Sequence, residues 1–426
     1  MSVTGQFDPA LAGTRWPGMD FVRQRATRLL DGVVALWIFS GGIVLIEPSP
    51  YEVVFLLVLP IAIVAGLGLY RSTFGLFAIL LGFTPFALIA CLQVRVTPVT
   101  DAIIFTAVTI FLMLTSYFLA NYLAEATARR MRIIIAAYTA IAVILALVGT
   151  LAYLRLMPGA DFFLRYDRAK ATFKDPNVYA PFLILPAMFA LQRVLLGRGW
   201  QIVVSGAVYV VLMIGVFVSF SRGGWGHFAA SSLITLVLVF MLEANARDKI
   251  RILIMSLLGL GMLVVALGGL LSIPTVSDFF AHRTQSQSYD TGETGRFGRQ
   301  GYAVELALEN PWGIGPGEFP TLRIREEPHN LYVTVFHVYG WGGGFFFYVM
   351  IAATLWKGSA MLLRPSPYRL MAIPVMATFT MVMAESIIID SDHWRHVYLL
   401  IGLVWGLSTA IKNEQRISAP RHETLI

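Results

Sequence analysis

Long apolar stretches alternate with short polar ones along almost the whole chain, and that alternation predicts helices that cross a bilayer. Twelve stretches can be drawn, at about 32–47, 51–69, 73–92, 101–122, 132–153, 177–194, 201–219, 226–242, 251–272, 330–356, 369–388 and 395–411. Most approach the ~20 residues that span a hydrocarbon core as a helix. A transmembrane barrel would show shorter segments with residue-by-residue alternation. The predicted fold class is therefore an all-α polytopic membrane protein. The longest polar interval, 273–329, divides the first nine stretches from the last three. From Phe297 onward its pattern predicts an amphipathic helix outside the membrane, with Val304, Leu306 and Leu308 as the apolar side and Pro311 as the stop. The predicted organisation is a tail at 1–31, membrane helices over 32–272, a large loop at 273–329, membrane helices over 330–411 and a tail at 412–426.

Composition sharpens this picture. Of 426 residues, 57% are hydrophobic and 13% charged, against roughly 25% charged in soluble domains. Most of the surface is thus expected to face lipid. The net charge of +7 does not point to nucleic acid, because the basic residues sit in the gaps between apolar runs and form no soluble basic domain. Cys91 is the only cysteine, so no internal disulfide can form. Arg15, Arg23, Arg25 and Arg28 precede the first apolar run, but "GVVALWIFSGGIVLIEPSP" has no small-x-small cleavage site. That run is expected to be the first membrane helix.

Orientation follows from the short connections. The even-numbered ones carry Arg71, then "ATARRMR", then Arg193 and Arg198, then "NARDKIR", then Lys357, Arg364 and Arg369. Short basic loops on one side mark the cytoplasmic face, so both termini are predicted cytoplasmic. Two long outer connections are also basic. The one at 154–176 holds Arg155, Arg165, Arg168, Lys170 and Lys174, and the one at 273–329 holds Arg283, Arg296, Arg299, Arg323 and Arg325. Either these pair with headgroups and local acids, or they form an anion site on the outer face.

Several residues could carry chemistry there. In "VSFSRGGWG", Arg222 stands at the outer end of the seventh stretch beside Gly223 and Gly224. A guanidinium can fork onto phosphate oxygens, and the glycines would let a ligand approach the backbone. It could equally be an interfacial anchor. Arg296 and Arg299 lie at the start of the predicted loop helix, where the helix dipole also favours anions. "GIGPG" follows a helix rather than a strand, so it is not a nucleotide loop. In "REEPHNLYVTVFHVYGWGGG", His329 stands at the mouth of the tenth stretch and Asn330 is placed to cap it. Histidine is suited to moving protons near neutral pH, although a boundary histidine can be merely polar. Glu385 falls inside an apolar stretch, where an ionisable residue is expensive. Asp390 and Asp392 form a D-x-D that could bind a metal, orient His329 or pair with Arg395. No metal and no cofactor are expected.

These motifs together resemble the O-antigen ligase and O-antigen polymerase superfamily. The resemblance rests on "SRGG", on "GR…ENPWGIGPGEF", on "HN" at the start of a span, and on "FKDPNVYAPFLILP" at 173–186, and it covers roughly 165–345. It implies a bacterial inner-membrane glycosyltransferase that moves a glycan from undecaprenyl pyrophosphate to an acceptor hydroxyl, on lipid A–core for ligases or on another lipid-linked repeat for polymerases. Arg222 matches the arginine implied to contact pyrophosphate, Arg296 the loop arginine, and His329 the histidine implied to activate the acceptor. Arg168 joins the expected pyrophosphate set, with Asn330, Asp390, Asp392 and Glu385 in support. Gln300 stands where the family often has Trp, and Arg299 lies one turn from Arg296, which leaves open which of the two grips phosphate. A reading from another class is a lipid-linked glycan transporter. Transporters place charge on several spans at the midplane, where Glu385 and His337 are the main candidates here, and most charge instead sits at the predicted outer surface.

Overall fold

The structure is a computed structural model, and it describes residues 17–46, 48–272, 277–278, 292, 295–323 and 325–418. Arg15, Arg283 and about a third of the predicted large loop, at 273–276, 279–291, 293–294 and 324, lie outside the described residues. A helix lies over each of the twelve apolar stretches. They are α1 (Pro17–Ser40), α2 (Pro50–Ala65), α3 (Phe74–Ala90), α4 (Val99–Glu125), α5 (Thr127–Tyr153), the pair α6 (Pro176–Phe182) and α7 (Ile184–Leu196), α8 (Trp200–Val218), α9 (Arg222–Leu242) and α10 (Ala246–Leu271). After the loop helices α11 (Arg296–Glu309) and α12 (Phe319–Leu322) come α13 (Leu331–Leu362), α14 (Arg369–Glu385) and α15 (Arg395–Ser418). Among the described residues, seven helices are long and apolar enough to cross a membrane: Arg71–Ala90, Val99–Glu125, Thr127–Tyr153, Pro176–Leu196, Trp200–Val218, Arg222–Leu242 and Leu331–Leu362. The first helix runs earlier than its apolar stretch: it begins at Pro17 and ends at Ser40.

Side chains tie the odd-numbered connections into one end of the bundle. Arg395 Nε donates to Glu52 Oε1 at 2.9 Å, joining the eleventh connection to the first. Thr172, in the fifth, donates to the Gly42 carbonyl in the first. Glu318, in the ninth, accepts the backbone N–H groups of Val96 and Thr97 in the third, both at 3.0 Å. Arg168 Nε, in the fifth, donates to the Ser219 carbonyl beside the seventh at 2.9 Å. At the opposite end Arg369 Nε reaches Glu243 Oε1 at 2.6 Å and Arg251 Nη1 reaches the Gly197 carbonyl at 3.0 Å. The basic short connections share that second end.

The fifth connection explains its own positive charge. Leu164–Arg165 and Arg168–Ala169 form a two-stranded hairpin. Its turn residues Tyr166 and Asp167 have φ of 52° and 55°, matching the primed turns that suit hairpin twist. Arg155 pairs with Asp161 and Asp167, and Arg165 with Asp175. Those two arginines follow the bland expectation. Arg168 differs, because the hairpin turns it inward and buries it.

The "GIGPG" segment has a structural role. Helix α13 breaks at Gly340, where φ is 71° and ψ −177°. The break frees backbone groups, and none can stay unsatisfied in a water-poor interior. Ile314 donates to the His337 carbonyl at 2.7 Å, Gly315 to the Val338 carbonyl at 3.3 Å, and Trp341 N–H to the Pro311 carbonyl at 2.9 Å. Trp341 Nε1 adds a bond to the Ala307 carbonyl at 2.8 Å. The loop thus replaces the helical hydrogen bonds that the break removes, and it carries α11 against α13. The buried face of α11 is Arg299, Ala303, Leu306 and Ala307. Val304 and Leu308 are exposed, contrary to the sequence expectation, because positions two apart cannot share a helical face.

The junction gives a stability test. A Cβ on Gly340 would meet the Pro311 carbonyl at 2.5 Å, at a φ that L residues rarely adopt. Gly340→Ala is expected to cost about 1–3 kcal/mol. Gly301→Ala, mid-helix in α11 with nothing within 4 Å of the new methyl, should be neutral or stabilising by about 0.5–1 kcal/mol. Melting temperatures of the two variants in detergent check this; equal melting temperatures would contradict the interlocked junction.

Candidate active site

His329 sits at the N-terminal mouth of α13 in a left-handed conformation, with φ of 56°. A branched or bulky residue pays for that geometry, so the surroundings must impose it. They do so through backbone capture. Asp390 Oδ2 accepts the His329 N–H at 3.0 Å, and Oδ1 accepts the Asn330 N–H at 3.1 Å. Thr334 Oγ1 donates to the same Oδ1 at 2.7 Å. On the other side of the residue, Gln300 Nε2 donates to the His329 carbonyl at 3.2 Å. Asn330 caps α13 as expected, its Oδ1 accepting from Tyr332 and Val333 N–H groups at 3.0 and 3.4 Å. The His329 ring is about one-third exposed, with Nδ1 3.5 Å from Asp390 Oδ2. A carboxylate on that side favours the proton on Nδ1 and leaves Nε2 as the acceptor.

Asp390 belongs to a strap, residues 385–390, that also touches the arginine-bearing helices. Glu385 Oε2 lies 2.7 Å from His227 Nδ1 on α9. The Ser386 carbonyl accepts Leu331 N–H at 2.9 Å. The Ile387 carbonyl accepts from Gln300 Nε2, on α11, at 3.3 Å. One short segment therefore connects the starts of α9, α11 and α13. Asp392 turns elsewhere, to His393 Nδ1 at 2.9 Å. The two carboxylates of the D-x-D thus serve different partners. Arg395 pairs with Glu52 rather than with either aspartate, which corrects that part of the sequence expectation.

The arginines divide into two kinds. Arg222 and Arg296 are the first residues of α9 and α11, partly exposed at helix N-termini, where backbone N–H groups add positive potential. Arg168 and Arg299 are buried and structural in their geometry. Arg168 braces the turn before Arg222, since its Nε bonds the Ser219 carbonyl and its Nη2 bonds Asn177 Oδ1 at 2.9 Å. That turn includes Phe220 at φ 49°, and Ser221 caps α9 by accepting Gly224 N–H at 3.1 Å. Arg299 is only 1% exposed and forms an ion pair with Glu326. It locks α11 to the segment before His329.

Two further residues border the site. His227 is buried against Glu385; its signal was a histidine within an apolar run, four residues after Gly223 and hence on the same helix face. Glu327 is partly buried, and burial, with the charges of Asp390 and Asp392 nearby, pushes its carboxyl up to about 8. It therefore holds its proton at neutral pH.

The raised Glu327 value makes a pH prediction. Between the ordinary 4.5 and about 8, the folded chain keeps a proton that the unfolded chain has lost, so stability falls as pH rises through this window. Glu327→Gln cannot ionise and should remove this slope. Melting temperatures of both chains should converge near pH 4.5, and the variant should gain on the wild type up to about pH 8. A difference that stays constant with pH would mean that Glu327 ionises normally.

No curated protein matches the chain. Residues 207–348 match the O-antigen ligase family, a stretch that runs from α8 into α13 and includes Arg222, Arg296, Arg299 and His329. The seven long apolar helices are those of a multi-pass membrane protein, and its segment 207–348 is similar to the O-antigen ligase family.

Proposed function

We propose that the chain transfers a glycan from undecaprenyl pyrophosphate to an acceptor hydroxyl, and that the acceptor is lipid A–core. The observation that carries this reading is the captured, left-handed His329, held by Asp390 on the same strap that reaches the Arg222 and Arg296 helices. The acceptor oxygen attacks C1 of the donor sugar. Its proton passes to His329 Nε2, the bond from C1 to the pyrophosphate oxygen breaks, and the pyrophosphate leaves with the bonding pair. Arg222 and Arg296, each with a helix N-terminus behind it, balance the negative charge that develops there. The other nearby carboxylates are poorly placed to act as the base. Glu326 is paired with Arg299, Asp390 holds backbone N–H groups and Thr334, Asp392 faces His393, and Glu327 keeps its proton. With two guanidiniums on the leaving group, the reaction calls for no metal.

The proposal also sets orientation. The end that gathers the odd-numbered connections faces the periplasm of a bacterial inner membrane, and the basic end with both termini faces the cytoplasm. A polyprenyl chain keeps the donor in the bilayer and presents its pyrophosphate at that surface. A polymerase would use the same residues on a different acceptor.

A complemented deletion strain and purified protein test this together. The wild-type gene should restore long chains on lipid A–core, seen on a gel. His329→Ala should not, and lipid-linked polymer should accumulate. In nanodiscs His329→Ala should bind donor and lose roughly 10²–10⁴-fold in rate. Arg222→Lys keeps charge but loses the fork, and should also transfer poorly. Transfer by His329→Ala at near the wild-type rate would remove the histidine from the chemistry. A deletion strain that still places a single repeat on its core would identify a polymerase.

A further inference from the structure

A buried acid–imidazole pair lies directly behind the turn that presents Arg222. Gly223 and His227 are four residues apart on α9 and share a face, and both meet Glu385 at the end of α14. Glu385 Oε1 would stand 2.7 Å from a Cβ at Gly223, so only a glycine lets the carboxylate approach the backbone there. His227 Nε2 lies 3.2 Å from the Thr378 carbonyl. A carbonyl can only accept, so Nε2 carries a hydrogen and donates it. Nδ1, 2.7 Å from Glu385 Oε2, therefore shares one proton with the carboxyl, whichever group bears it. Both residues are almost fully buried, and Ser231, one further turn along the same face, adds a bond to the Ala377 carbonyl at 3.2 Å. An ionisable pair in such a place is expensive, and an apolar seam would hold the two helices without it.

We propose that His227 and Glu385 are positioning residues for Arg222. The pair fixes the first turn of α9 against the strap, and through the strap it fixes the spacing between Arg222 and the His329 turn held by Asp390. Neither residue touches substrate. This inference rests on the reading of Arg222 as a pyrophosphate ligand.

The test is binding of undecaprenyl pyrophosphate, the leaving group itself, to the full chain in nanodiscs, with the melting temperature followed in parallel. His227→Ala and Glu385→Ala should each weaken binding about tenfold, the size expected of coupled neighbours. Gly223→Ala should act in the same direction by displacing the carboxylate, and it serves where the alanine variants fold poorly. Glu385→Gln can still donate to Nδ1 and should bind within about threefold of wild type. In an Arg222→Ala background, His227→Ala should have no further effect, because its route to the ligand is gone. An equal loss in both backgrounds would make the pair a fold element only and overturn the proposal. Wild-type binding by His227→Ala, with Arg222→Ala impaired, would overturn it while leaving the arginine reading intact. Wild-type binding by Arg222→Ala would remove the arginine reading and this inference with it. Glu385→Gln as damaging as Glu385→Ala would assign the carboxylate charge a role of its own and also overturn it.

Discussion

The capture of the His329 and Asn330 amides by the Asp390 carboxylate is the interaction on which the site's geometry depends. A free chain would not hold a histidine at φ 56°. Asp390 accepts both N–H groups that such a turn exposes, and Gln300 satisfies the carbonyl. The same carboxylate oxygen that receives Asn330 also receives Thr334, one turn into α13. The residue is thus fixed through its own backbone, and its ring stays about one-third exposed.

Asp390 can do this only because the strap that bears it is itself held. Glu385 anchors one end on α9, and the carbonyls of Ser386 and Ile387 take bonds from α13 and α11. Behind the strap, the glycine-rich loop repairs the break in α13 with its own backbone donors and acceptors. Glu318 then bolts that loop to the connection between α3 and α4. The irregular backbone at this end is therefore satisfied by protein, as a site at the edge of a bilayer requires.

Much of this was legible in the sequence. Apolar length located a helix over every expected stretch, because burial in lipid leaves no other way to pair the backbone. Asn330 as a cap, Pro311 as a stop and the helical start near Arg296 followed from local rules. What failed was what depends on distant partners. Nothing local tells Arg168 to bond the Ser219 carbonyl or Arg299 to pair with Glu326, so four outer arginines looked alike although two are buried braces. Gln300 read as a departure from the family pattern, yet its two-donor amide joins α11 to His329 and to the strap. The partner of Arg395 proved to be Glu52, more than 300 residues away in sequence. The start of α1 was misplaced because apolar length alone misses a helix that begins in a polar segment.

An experimental structure of the full chain with undecaprenyl pyrophosphate bound tests the central claim most directly. The account predicts pyrophosphate oxygens within about 2.7–3.1 Å of Arg222 and Arg296, with the His329 ring facing the terminal phosphate where the sugar would be attached. A pyrophosphate held at the opposite end of the bundle, beside Arg369 and Arg251, or one held with neither Arg222 nor Arg296 in contact, would contradict it.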